Sequence, residues 1–157
     1  MLDCALSREH DRISFTSGNV QLDNYLQTGA LQNVKKGLAT VWVLTDESAP
    51  SVILGFYSLS AASVEATDLA ANEKNSLPRY PVPCILLGRL AVSSNNQGRG
   101  TGRALVNGAI RRSLVAKQQV GAYALLVTAK DIAAKLFYER CGFTAFPAEP
   151  LRLYQTL

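Results

Sequence analysis

The densest chemical signal in the 157-residue chain is S-S-N-N-Q-G-R-G-T-G-R-A-L-V, residues 93–106. Gly98, Gly100 and Gly102 alternate with Arg99 and Thr101, and Arg103 follows. Glycine at this density raises the entropy lost on folding, so it implies a backbone that must turn sharply or lie bare against a partner. No Asp or Glu interrupts the run. A glycine loop entering a helix aims bare N–H groups and the positive end of the helix dipole at one point, here beside two guanidinium groups. The matching chemistry is an anion, with phosphate as the best fit. Two familiar phosphate loops are excluded: there is no G-K-[ST], and G-x-G-x-G with Arg103 in the last place fails the dinucleotide fingerprint. No βαβ start precedes it either.

The remaining reactive residues are few. Cys4, Cys84 and Cys141 are odd in number and far apart, matching neither a disulfide framework nor a zinc site, and His10 is the only histidine. No metal is expected, and the reduced cytoplasm is the expected compartment. The formal net charge is +4. Its distribution is sharper than its size, because no Asp or Glu lies between Glu73 and Asp131 while nine Lys and Arg do: Lys74, Arg79, Arg89, Arg99, Arg103, Arg111, Arg112, Lys117 and Lys130. A basic middle favours anionic partners: a phosphorylated cofactor, nucleic acid or acidic protein. Hydrophobic residues make up 48% and charged ones 18%, which excludes a disordered chain. No apolar run reaches the length of a membrane span, and the N-terminus has no apolar signal core.

Periodicity supplies the elements that must hold the loop. Residues 2–7 read as a strand. A helix capped by Ser17 or Asn19 carries Val20, Leu22, Tyr25, Leu26, Leu31 and Val34, with Gly29 as a break and Gly37 as its end. Residues 39–46 and 52–64 are strands paired as a hairpin across a turn at 47–51. Residues 65–83 read as a polar connection with at most a short helix. Residues 84–93 form a nearly unbroken apolar run, as in a central strand covered on both faces. The loop follows, then a helix over 101–118 with Val106, Ala109, Ile110 and Leu114 on one face. A strand at 122–129 leads to a helix over 131–143, capped by Asp131 and ended by Gly142, with Ala133, Leu136 and Phe137 as its apolar stripe and Tyr138 at the edge. Two short strands, 143–147 and 151–157, close the chain. The result is one α/β domain over 1–157.

Three segments together carry a resemblance. Q-x-x-G-x-G, Gln97 to Gly102, is similar to the acyl-CoA pyrophosphate loop of the GNAT N-acetyltransferase superfamily. L-G-R-L-A-V before it resembles that family's central strand, and A-x-x-F-Y-E-x-x-G-F, Ala134 to Phe143, resembles its late helix. The resemblance implies a mixed central sheet of about six to seven strands flanked by helices, with acetyl-CoA as cofactor. It places Gln97, Gly98, Arg99, Gly100, Thr101, Gly102 and Arg103 around the pyrophosphate, and the main chain of Leu90, Ala91 and Val92 along the pantetheine arm. It makes Tyr138 the acid that protonates the departing thiolate. With reference values of ~10 for the phenol and ~8.5 for a thiol, that transfer is mildly uphill unless the site lowers the phenol.

The acceptor amine must arrive neutral. A lysine amine near ~10.4 wants a strong base, whereas an α-amine near ~7.7–8.0 does not. The carboxylate-free middle therefore favours an α-amine, with Glu65 or Asp131 open as a base through water. F-x-S-G-x-x-x-L-D-x-Y-L (15–26) and R-Y-P-V-P-x-x-L-L-G-R-L-A-V (79–92) are similar to the acetyltransferase toxins of bacterial toxin–antitoxin pairs, of the TacT kind. That resemblance implies acetylation of aminoacyl-tRNA, a tRNA-facing group of Lys35, Lys36, Arg79 and Arg89, a homodimer, and a ribbon-helix-helix antitoxin. Arg89 has the alternative of a structural ion pair. Two other functions share the loop: a GNAT enzyme acting on a protein N-terminus or a small amine, and an acyl-CoA-binding module without turnover. A plain nucleic-acid-binding module leaves the loop unexplained and lacks interleaved aromatics.

Overall fold

A computed structural model describes residues 1–157. Seven strands form one mixed sheet in the order β1-β2-β3-β4-β5-β7-β6. They are β1 Leu2–Ala5, β2 Thr40–Asp46, β3 Ala49–Val64, β4 Val82–Val92, β5 Ala124–Thr128, β6 Thr144–Ala145 and β7 Arg152–Thr156. The helices are α1 Val20–Asn24, α2 Ala30–Lys35, α3 Ala71–Lys74, α4 Thr101–Val120 and α5 Ile132–Arg140. β1–β2, β2–β3, β5–β7 and β6–β7 pair antiparallel, and β4–β5 pairs parallel at Ile85↔Leu125 and Leu86↔Leu126. No helix is long and apolar enough to cross a membrane.

The hairpin turn is tighter than its composition suggests, because Ala49, Pro50 and Ser51 already belong to β3 and only Glu47 and Ser48 remain as the turn. Gly29 does not break the first helical run. Tyr25–Gly29 instead forms a π turn joining α1 to α2. Thr28 Oγ1 bonds back to the Asn24 carbonyl at 2.7 Å, which competes with the α-helical ladder and widens it locally. Along β4 Val82 and Cys84 are buried on one face and Leu87 and Ala91 on the other, with Pro83 and Gly88 exposed, so each face is covered over part of its length.

By its contacts the chain falls into two compact units, Met1–Ser60 with Gly88–Ala109, and Ala61–Leu87 with Ile110–Leu157. The first is centred on Leu26, Val43, Phe56 and Ala91. Tyr57, fully buried, donates its hydroxyl to Asp3 Oδ2 at 3.1 Å, and a Cβ on Gly108 would meet that oxygen at 2.3 Å. Gly108 thus explains itself in mid-helix: its missing side chain lets α4 close on this pair, offsetting a helix-propensity cost of about 1 kcal/mol. Leu105, Val106 and Ala109 face inward, as periodicity predicts for the last two, but Leu114 is exposed and Ser113 is buried in its stead.

The second unit packs Val64, Val82, Ala124, Leu126, Phe146 and Tyr154 together. Glu73, on α3, pins the 65–81 connection to it. Its carboxylate accepts the hydroxyls of Tyr123 at 2.5 Å, Thr156 at 2.7 Å, and Tyr154. Burial pushes the Glu73 carboxyl upward, but the three hydroxyls outweigh it and hold the group below its ordinary 4.5. The same partnership, after burial, pushes Tyr123 up to about 12. A lowered carboxyl contributes stability that is present above the unfolded pKa and lost as pH falls through the folded one. Stability against urea is therefore expected to rise with pH through the acid range below 4.5, and Glu73→Gln is expected to flatten that rise. An unchanged pH slope in the variant refutes the assignment.

Candidate active site

β4 delivers the chain into the glycine loop, and the first unit holds that loop at several points. Ser93 N donates to Leu54 O at 2.9 Å, and Ser94 N and Oγ both donate to Thr16 O, at 2.8 and 3.0 Å. Gln97 Nε2 donates to Ser17 O at 2.8 Å and to Val92 O at 3.1 Å. The carbonyls of Thr16 and Ser17 are themselves placed by Asp23, whose carboxylate accepts Ser17 N at 3.0 Å and Ser17 Oγ at 2.6 Å. Asn19 caps α1 by accepting Leu22 N at 3.2 Å. The S-G-N-x-x-L-D motif is thus a buttress for a loop some 80 residues later.

Beyond the buttress the loop is bare. Gly98 and Gly100 have φ of +74° and +81°, a region that side-chain-bearing residues avoid, and no atom lies within 4 Å of where their Cβ would stand. Gln97, Gly98, Arg99, Gly100 and Arg103 are exposed, and Thr101 is buried as the first residue of α4. The first turn of α4 is closed by Ala104 N donating to Gly100 O at 3.1 Å. Leu90 and Val92 are half-buried, while the Ala91 side chain is in the core, which leaves its main chain as the only part to offer.

Arg89, in the same unit, packs against an aromatic ring. Its guanidinium carbon lies 3.6 Å from the Tyr25 ring centre, a cation–π contact. Tyr25 is stacked on Phe56 and accepts Asn33 Nδ2 at its hydroxyl at 3.1 Å. Lys35 and Lys36 are exposed at the end of α2. Arg79 belongs to the second unit, where it is exposed.

Tyr138 is also in the second unit. The sequence places it at the edge of an apolar stripe, but in the structure it is the buried residue of α5, while Ala133 and Leu136 are exposed. Its ring meets Phe137 and Phe143 edge-on, with centroids at 5.1 and 5.6 Å. Asp131 caps the helix by accepting Ala134 N at 2.8 Å. Burial pushes the Tyr138 phenol up to about 12, and the neighbouring Cys141 adds to the rise. The environment therefore makes this phenol a weaker acid than a free one.

Residues 37–145 match the family described as acetyltransferase (GNAT) domain. The chain belongs to the GNAT acetyltransferase family. Among curated proteins it is similar to a tRNA-acetylating toxin of Mycobacterium tuberculosis (strain ATCC 25618 / H37Rv), at 38% identity over 148 residues, covering 94% of this chain and 87% of that protein. Among solved structures, AtaT complexed with acetyl-methionyl-tRNAfMet superposes with a TM-score of 0.92 at 24% identity, covering 99% of this chain and 94% of that one, which bears on the fold. AtaTR bound with AcCoA superposes with a TM-score of 0.83 at 26% identity, covering 99% and 92%.

The GNAT loop fits the diphosphate of acetyl-CoA on its own geometry: two left-handed glycines, an open face and a helix N-terminus. No group of His, Cys, Asp and Glu is placed to hold a metal ion. Asp23 and Ser17 are the supporting residues that the loop motif does not reveal. Their only trace in the sequence is the distinctive 15–26 segment. Gln97→Ala removes two of the bonds that hold the loop, those to Ser17 O and Val92 O, and at roughly 0.5–1.5 kcal/mol each it is expected to weaken acetyl-CoA binding about 5- to 160-fold. Asp23→Ala is expected to act in the same direction from a distance. Calorimetric titration with acetyl-CoA checks both, and wild-type affinity in Gln97→Ala refutes the buttress.

Proposed function

We propose that this chain transfers an acetyl group from acetyl-CoA to the α-amine of aminoacyl-tRNA and so blocks translation, as the toxin of a toxin–antitoxin pair. The observation that carries the reading is its near-full-length likeness to a tRNA-acetylating toxin, in a chain whose glycine loop is built for a diphosphate. The two units act as one acetyltransferase domain in the cytoplasm. The working form is a homodimer, and a ribbon-helix-helix antitoxin neutralises it.

When bound, acetyl-CoA supplies an activated thioester and a thiolate leaving group. The amides from Gly98 to Gly102, with Arg99 and Arg103, hold its diphosphate, and the main chain of Leu90, Ala91 and Val92 runs beside its pantetheine arm. Gln97 positions the loop through its two backbone bonds. Tyr138 holds a proton at its hydroxyl. A phenol near 12 facing an ordinary thiol leaves a stepwise transfer about 5 kcal/mol uphill. The gap narrows where the same burial raises the pKa of the leaving sulfur, so the phenol acts on charge as it develops. Lys35, Lys36, Arg79 and Arg89 face the tRNA, Arg89 with its guanidinium edge while its face rests on Tyr25.

The carboxylates support an α-amine acceptor. Glu73 is engaged by three hydroxyls and Asp131 caps α5. Only Glu65, exposed, is left of the two bases open from sequence. An α-amine near ~7.7–8.0 is neutral in roughly a fifth to a third of molecules at pH ~7.4 and needs no strong base.

Incubation of the full chain with acetyl-CoA and charged tRNA is expected to yield acetylated aminoacyl-tRNA by mass spectrometry, and expression without an antitoxin is expected to arrest growth. Transfer only to protein N-termini or small amines overturns the toxin reading. Tyr138→Phe is expected to lower kcat by about 10²- to 10⁴-fold while leaving acetyl-CoA affinity unchanged. Because the phenol stays protonated until the pH nears 12, wild-type kcat is expected to show no alkaline fall from this group through about pH 10. A wild-type rate in the Phe variant removes Tyr138 as the acid.

A further inference from the structure

We infer that the cleft formed by the 65–79 segment, together with the exposed Tyr80 that follows it in the chain, is a binding site for the sugar–phosphate backbone and one unstacked base of RNA. The inference rests on the reading of the substrate as tRNA and names where part of that RNA is held. The cleft has a volume of about 430 Å³ and is lined by Glu65, Thr67, Lys74, Asn75, Leu77 and Arg79 among others. That size lies in the range of sites that take small ligands. Two cations face one carboxylate, and a hydroxyl and an amide supply neutral hydrogen-bonding groups. Lys74 and Arg79 are exposed, and Tyr80, next in the chain, is 65% exposed.

Three features point to RNA rather than to a generic basic surface. First, an exposed aromatic ring next in the chain to one of two cations lining the same cleft has the composition of a single-strand platform, where a base stacks and the phosphates meet charge. Second, the display is stiff. Pro78 and Pro81 bracket Arg79 and Tyr80, and the residue before a proline is held extended, so little entropy is lost when the pair is engaged. Third, the acid next to Lys74 in the chain is hydrogen-bonded elsewhere. Glu73 precedes Lys74 on α3, yet its carboxylate is committed to Tyr123, Tyr154 and Thr156, and Ala70 N donates to the Tyr154 hydroxyl at 3.3 Å. These bonds fix α3 as one wall of the cleft and tie the Glu73 carboxylate to hydroxyls rather than to Lys74. Glu73 is then a positioning residue for the RNA, acting through α3.

The test uses the full chain, fluorescently end-labelled uncharged bulk tRNA, and anisotropy at several potassium chloride concentrations. Lys74→Ala with Arg79→Ala is expected to weaken binding about tenfold or more and to reduce the salt slope by roughly 1.5–2, the loss of two phosphate contacts. Tyr80→Ala is expected to weaken binding about 5- to 20-fold with an unchanged salt slope, the loss of one stacked base. Glu73→Gln is expected to raise KM for charged tRNA severalfold at unchanged kcat. Acetyl-CoA affinity stays at the wild-type value in all of them, and Lys130→Ala, an exposed cation outside the cleft, binds tRNA as wild type does. If wild type acetylates charged tRNA while the double variant and Tyr80→Ala both bind tRNA normally, the cleft is not the site. If wild type neither binds nor acetylates charged tRNA, the substrate reading falls and takes this inference with it.

Discussion

Gln97 spends both hydrogens of one side-chain amide on two backbone carbonyls, Ser17 O and Val92 O. One carbonyl belongs to the end of β4 and the other to the approach to α1, so this single amide sets where the glycine loop begins. Everything the loop does depends on that constraint. Left-handed glycines make a backbone able to approach an anion, but the same freedom makes an unsupported loop an ensemble. The bonds from Ser93, Ser94 and Gln97 remove most of that freedom before any ligand arrives, which lowers the ordering cost of binding. Asp23 extends the same device by one layer, since the carbonyls that Gln97 and Ser94 use are placed by its grip on Ser17.

The second unit uses a different logic. There a carboxylate is surrounded by hydroxyls, and a phenol by aromatic edges. Glu73 gathers donors from positions 50 to 83 residues away and so fastens a polar, proline-bearing connection that has few apolar side chains of its own to bury. Tyr138 gains its place from Phe137 and Phe143. Both settings shift acidity in the direction that keeps the group in one protonation state near neutrality: Glu73 ionised, Tyr138 protonated. A buried phenol of raised pKa is a poor acid towards a solvated thiolate and a reasonable one towards charge forming in an equally dry place. On the proposed role of Tyr138 as the acid, the rate advantage comes from where the proton is held and how little water is near, and not from an unusually acidic phenol.

Arg89 shows why basic residues cannot be sorted by charge alone. It stands in the middle of a basic segment and in a distinctive motif, and both facts suggest an outward-facing cation. In the structure its flat face lies on Tyr25, itself stacked on Phe56. Part of its surface therefore packs the α1 side of the first unit, while the guanidinium edge keeps its hydrogen-bonding capacity.

The sequence by itself determined the order of elements, the cap at Asp131 and the family, narrowed the first cap to Ser17 or Asn19, and marked the glycine loop as a candidate anion site. These are local: turn chemistry, capping and apolar period act over a few residues, and a glycine-dense loop between a strand and a helix has few other uses. It did not show which face of a helix is covered. Leu114, Ala133 and Leu136 read as inward and are exposed, while Ser113 and Tyr138 are buried, because helical spacing defines a stripe without saying what packs on it. Nor did it show that Gln97 ties β4 to Ser17, that Glu73 collects three hydroxyls, or that the Tyr138 pKa moves upward. Each of these depends on groups far apart in the chain and on the water that packing removes around them. Only the tertiary structure brings such groups within hydrogen-bonding distance and decides how dry they are.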